Sequence, residues 1–208
     1  MSSLLSAAIA DLYSPDVVMR VAAATEIYRR GRAPADRAAY KWWSDPEFAG
    51  LFGGNPAVIV GLAVRRGTFA KIREANGAPL LVEVPPDQDA EEFELHFPDN
   101  ISLDVLTTRD PDGQGAVARY LGKFGEGVQQ VEFRCTNVDR ATEIVRTKFG
   151  VVPVYPRTRL GAGGTRVNFF LVPSPGPDAS PGAGSGPGSG PTSGKVLLEF
   201  FETPRIRE

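Results

Sequence analysis

Residues 125–135 read GEGVQQVEFRC, and this stretch decides the fold. Two glycines make a turn, and apolar and polar positions then alternate as in a strand with one buried face. Gln130, Glu132 and Arg134 fall on one face, and Val131, Phe133 and Cys135 on the other. The same alternation turns Gln129 away from Gln130, towards packing or solvent. An inward amide needs hydrogen-bonding partners or a ligand, so Gln130 marks its face as the polar one with a task.

Working outward, NVDRATEIVRTKFG (137–150) reads as a helix capped by Asn137 and closed by Gly150. VVPVYP (151–156), TRVNFFLV (165–172) and KVLLEFFE (195–202) follow as three strands. The same order stands upstream. Strand AVIVGLAV (57–64) precedes helix TFAKIREANG (68–77), and strands LLVEV (80–84), EFELHF (92–97) and ISLDVLTT (101–108) come next. Pro98, Asp99 and Asn100 make a tight turn between the last two. A βαβββ unit therefore occurs twice, over 55–110 and 125–204 of a domain spanning 55–208, with a polar connection between the copies. Pro173 to Gly194 is nearly all Gly, Pro and Ser and is expected to be a mobile loop.

Residues 1–54 read as a helical extension. SPDVVMRVAAATEIYRRG (14–31) has Ser14 as N-cap, Pro15 at the first helical position and Gly31 as its end, with Val17, Val21, Ala24 and Tyr28 as the apolar stripe. Two shorter helices, PADRAAYKWW and DPEFAGLF, follow on either side of Ser44, a candidate N-cap. Trp42 and Trp43 have two readings: they dock this extension on the rest of the protein, or they line a ligand pocket.

The 208 residues are 42% apolar with a net charge of −2, which builds a core but no basic field for nucleic acid or an acidic membrane. No apolar run reaches the ~20 residues of a membrane span. The single cysteine forms no internal disulfide and disfavours a thiolate metal site. The expected setting is cytoplasmic. No nucleotide-binding loop, nucleophile elbow or zinc motif is present.

The repeated unit, with GEGVQQVEF opening the second copy and KVLLEFFE closing it, resembles the vicinal oxygen chelate superfamily, and most of all its methylmalonyl-CoA epimerase and glyoxalase-like branch. The likeness covers residues 56 to 202, outside the helical extension. It implies an α+β fold in which paired βαβββ modules form a curved mixed sheet around a cleft, and a homodimer. It also implies four cleft-facing metal positions, which fall here on Ile59, Asp104, Gln130 and Glu199. Ile59 ligates nothing and no imidazole remains among the four, so a transition metal is not expected. Asp104, Gln130 and Glu199 offer oxygens only to a hard cation such as Mg or Mn.

Pairing EFELHF with ISLDVL through the turn sets His96 opposite Ser102 and Glu94 opposite Asp104, all on the face that the resemblance makes the cleft. With Gln130, Glu132, Arg134 and Glu199, the cleft collects carboxylates that raise one another's pKa values. The leading expectation is a small-molecule isomerase or lyase of specialised metabolism, working by acid/base chemistry beside a carbonyl. Glu199 is its base, Asp104 or Glu94 the partner acid, and His96 a proton shuttle. Gln130 donates to a substrate oxygen, while Glu132, Arg134 and Ser102 complete the substrate contacts. Against these roles stand the plainer readings that Glu94, Glu132 and Arg134 form a solvated ion-pair network and that His96 is only a hydrogen-bonded residue. The alternative function is a binding protein of the bleomycin-resistance type that sequesters an antibiotic or metabolite.

Overall fold

The computed structural model describes residues 3–53, 56–174 and 194–203. One mixed sheet organises it. Its strands are β1 (Val58–Ala63), β2 (Ala90–Phe97), β3 (Ile101–Thr108), β4 (Gly127–Arg134), β5 (Arg159–Leu160), β6 (Arg166–Pro173) and β7 (Lys195–Glu202), in the order β2-β3-β1-β4-β7-β6-β5. The opening strands of the two repeats, β1 and β4, pair antiparallel at the centre. Each is flanked by a parallel neighbour from its own repeat, β3 beside β1 and β7 beside β4. The β2–β3 hairpin turns through Asp99 and Asn100, both at positive φ, which these short polar residues tolerate. It keeps the register read from the sequence, Glu94 against Asp104 and His96 against Ser102.

Two expected strands are absent from the ladder. LLVEV and VVPVYP run as irregular segments, because Pro79, Pro85, Pro86, Pro153 and Pro156 supply no N–H. Each is pinned by a single backbone–backbone bond to the sheet, Val82 N to Glu92 O at 2.9 Å and Val154 N to Phe169 O at 2.7 Å. The first segment also reaches the far edge. Gly163 N donates to Glu83 O, Gln88 Nε2 donates to Leu160 O, and Asp87 pairs with Arg159. The free margins of the two modules are thereby joined, and the curled sheet closes around its concave face.

The helices are α1 (Ser3–Asp11), α2 (Val17–Ala38), α3 (Tyr40–Trp43), α4 (Pro46–Gly50), α5 (Arg66–Ala75), α6 (Ala116–Phe124) and α7 (Val138–Phe149). Asp16, not Ser14, caps α2, and Asp45, not Ser44, caps α4. α2 runs on through Gly31 and Pro34. Its buried stripe is Ala23, Ala24, Ile27, Gly31 and Ala35, while Val17 is exposed. Gly31 is a contact point with the sheet: a Cβ there would lie 2.5 Å from Val60 Cγ1 and 3.1 Å from Val128 Cγ1. Gly31→Ala is therefore expected to destabilise the protein by about 1–2 kcal/mol in chemical denaturation, overpacking outweighing alanine's better helix propensity.

α1–α4, α5 and α7 cover the convex face and share one hydrophobic core with the sheet. Trp42 packs against Phe48, Phe170 and Phe200, and Trp43 against Phe48, Phe52 and Phe133, so both tryptophans serve docking. The connection expected to be merely polar contains α6. Val117 and Leu121 of this helix pack with Ala63, Val84, Ala90 and Leu106 at the end of the concave face. The Gly/Pro/Ser stretch lies mostly outside the described residues. At its ends Pro173 pairs with Lys195, and Ser174 N donates to Gly194 O. Among the described residues no helix is long and apolar enough to cross a membrane.

Candidate active site

The concave face encloses a cavity of about 410 Å³, within the range of small-molecule sites. Its floor comes from strand alternation. Register places Asp104 and Gln130 on either side of Gly61, and Glu132 between Ile59 and Glu199. Gly61 makes room for the amide: a Cβ there would sit 2.5 Å from Gln130 Cγ. Gln130 lies across the strand and donates from Nε2 to Glu132 Oε1 at 3.1 Å and to Glu199 Oε2 at 2.8 Å. Both amide hydrogens are thus committed to carboxylates. In this arrangement the Gln130 hydrogens meet carboxylates, where the sequence reading had them meet a substrate oxygen.

Gln129 also departs from expectation. Between Gly61 and Leu62 the pairing skips from Gln130 to Val128, so Gln129 is the extra residue of a β-bulge. A bulge breaks the two-residue period, and both glutamines line the cavity. Gln129 Oε1 is buried without a hydrogen-bond partner.

Four acids are buried in the cavity wall: Glu92, Asp104, Glu132 and Glu199, each at most 9% exposed. Burial, reinforced by the charge of Glu94, raises Glu92 to about 7. Burial raises Glu132 to about 8 against the lowering bond from Gln130, with Glu92 and Glu94 adding to the rise. Asp104 and Glu199 are pushed well above the ordinary carboxylate range, again by burial first and neighbouring carboxylates second. Asp104 Oδ1 is buried and unpartnered.

The remaining expected residues lie elsewhere. Glu94 reaches the cavity mouth, with its side chain 43% exposed. His96 is on the surface, with Nε2 3.3 Å from Glu94 Oε2 and Nδ1 3.1 Å from Ser102 Oγ. Neither His96 nor Ser102 lines the cavity, and Arg134 sits exposed at the end of β4. The curvature of β2 explains the difference, since only its earlier inward residue, Glu92, is carried to the floor. Sequence reasoning passed over Glu92, although it shares the alternation of Glu94 and His96. It also passed over Tyr155 and Phe169, whose rings meet edge to face at 5.9 Å on the wall. Cys135 is buried on the core side and its thiol is pushed up to about 12 by burial, so it is no nucleophile.

Among solved structures the chain is similar to a methylmalonyl-CoA epimerase from Mycobacterium tuberculosis. The identity is 25%, the alignment covers 70% of this chain and 86% of that one, and the TM-score is 0.51. A Streptomyces coelicolor methylmalonyl-CoA epimerase variant, in complex with 2-nitronate-propionyl-CoA, matches at 25% identity over 72% and 95% of the two chains, with a TM-score of 0.50. This chain has the vicinal oxygen chelate fold. No family profile matches it, and no curated protein does.

Vicinal oxygen chelate proteins commonly hold a divalent metal on this face, and the donor set here does not fit one. The first ligand position carries Ile59, which the cavity wall shows as bare hydrocarbon. Among the described residues no three His, Cys, Asp or Glu side chains converge on one point. The Gln130 amide hydrogens point at Glu132 and at Glu199, one of the carboxylates that a cation would need. Elemental analysis of the purified protein is expected to find no stoichiometric Zn, Ni or Fe. One such ion per chain that disappears in Glu199→Gln would show a metal site after all.

Proposed function

We propose that this vicinal oxygen chelate protein is an acid/base enzyme that moves a proton on and off a carbon beside a carbonyl, in isomerisation or epimerisation, without a transition metal. One observation carries the reading. Glu92 on β2 and Glu199 on β7 are separated by three strands of the sheet, and its curl brings both into one cavity from either side of Asp104, Gln130 and Glu132. Two carboxyl groups facing each other across a substrate can remove a proton from one side of a carbon and return one from the other. Glu92, at about 7, is suited to accept or give a proton near neutral pH. Glu132, at about 8, still carries its proton there and can donate it to the developing enolate oxygen. Gln130 holds Glu132 and Glu199 in place between them. The likeness to epimerases supports this class of chemistry.

The test is solvent exchange. The protein is incubated in D2O with a panel of α-branched carbonyl compounds, acyl thioesters among them, and loss of the α-proton is followed by NMR. Exchange that is enzyme-dependent and, in Glu199→Gln, lost with one of the two epimers supports the reading. Binding of a panel member without exchange favours the sequestering protein.

A further inference from the structure

The charge and hydrogen-bonding character of the cavity speak to what enters it, whether or not the protein turns that ligand over. Glu92, Asp104, Glu132 and Glu199 are four acids with one neutral amide, Gln130, among them. The cavity's two arginines are engaged. Arg119 is exposed and bonds the Gln114 carbonyl, while Arg159 pairs with Asp87 and lies over the Tyr155 ring. Two oxygens in the wall, Asp104 Oδ1 and Gln129 Oε1, are buried with no partner, and Asp104 is only 5% exposed. Unpaired buried acceptors cost about 1–3 kcal/mol each until a donor arrives. Aromatic side chains line the same cavity: Phe169 is the register partner of Glu199, and Phe201 is among the lining residues.

We propose that this cavity binds an organic ammonium ion, a protonated primary or secondary amine carried on an apolar body. An ammonium brings several N–H donors that point in different directions, and so satisfies separated acceptors such as Asp104 Oδ1 and Gln129 Oε1. A metal ion needs its donors to converge. Aromatic rings beside carboxylates attract the same charge, worth about 0.5–2 kcal/mol per ring. A carboxylate-bearing ligand meets the opposite conditions, since Arg159 is already paired with Asp87, Arg119 lies exposed, and Gln129 Oε1 is an acceptor with no hydrogen to offer it.

Calorimetric titration at pH 7.5 and 150 mM salt tests this with matched probes, phenethylamine against hydrocinnamate, with magnesium and manganese chloride alongside. Phenethylamine is expected to bind and raise the melting temperature, and hydrocinnamate is not. Asp104→Asn should weaken the amine at least tenfold. Gln129→Leu, which leaves every charge in place, should weaken it several-fold and serves if the first variant folds poorly. Hydrocinnamate binding as tightly as the amine would overturn the proposal. So would amine binding unchanged in both variants, no amine binding at all, or a metal ion that binds and excludes the amine.

Discussion

Glu199→Gln and Glu92→Gln should each lower the rate of interconversion between substrate epimers by about 10²–10⁴-fold, the range for losing a positioned acid or base. Their effects on proton exchange should then separate. With the acids on either side of the central strands, each is proposed to serve one face of the reacting carbon. Glu199→Gln should keep solvent exchange with one epimer and lose it with the other, and Glu92→Gln should show the mirror preference. Gln keeps the shape of Glu and cannot take a proton, so the split reads the chemistry and not the packing. Loss of exchange with both epimers in one variant and none in the other would assign the whole proton traffic to one acid. Exchange unchanged from wild type in both variants would remove the enzyme reading from this cavity. Gln130→Ala acts through its neighbours: it releases Glu132 and Glu199 from their shared amide and should lower kcat more than it raises KM.

Stability should fall as pH rises from 5 to 8, contrary to the acid denaturation of ordinary proteins. The sign follows from the buried acids. Glu92 moves from an ordinary 4.5 to about 7, and Glu132 to about 8, so between pH 4.5 and those values the folded state holds protons that the unfolded chain has released. Stability is then fully present below pH 4.5 and is lost as pH climbs through 7 and 8. For Glu92 alone the loss is roughly 3 kcal/mol once the group ionises, or a fall of about 5–10 °C in melting temperature for a chain of this size. The exposed acids paired with Arg and Lys, such as Glu47 and Asp139, have lowered values and act only below their ordinary range, outside this window. Melting curves across pH 5–8 check the slope. Glu92→Gln should flatten it and stabilise the protein at pH 8; a flat wild-type curve would show that water or ions reach these carboxyl groups freely.

Much of the fold was legible because its signals are local. The repeated order, apart from the two proline-bearing segments that are not strands, rests on alternation and turn residues, and the β2–β3 register follows from a three-residue turn that leaves one pairing of the flanking strands. Asn137 and Gly150 end α7 where their cap chemistry says they should. The inward side of Gln130 and Glu132 followed from the period of two, and the place of Glu199 in the cleft from the resemblance. The misread helix ends had local competitors. Asp16 and Asp45 each stand one or two residues beyond the serine chosen, and both residue types cap well.

The sequence by itself determined which residues share a face, because side-chain direction along a strand needs no knowledge of the partner. How deep each residue sits was decided by tertiary structure alone. Glu92, Glu94 and His96 lie on one face of one strand, yet the curl of the sheet buries the first, leaves the second at the mouth and puts the third in solvent. Gln129 joins Gln130 in the cavity through a bulge forced by the pairing of β4 with β1, two strands far apart in sequence. Gly31 stands inside a helix where Val60 and Val128 leave no room for a side chain, and no helix propensity carries that information. The closure of the cavity by residues 82–88 against 159–163 depends on two segments that meet only once the sheet has curved, so the physics that sets it is curvature, which no local pattern encodes.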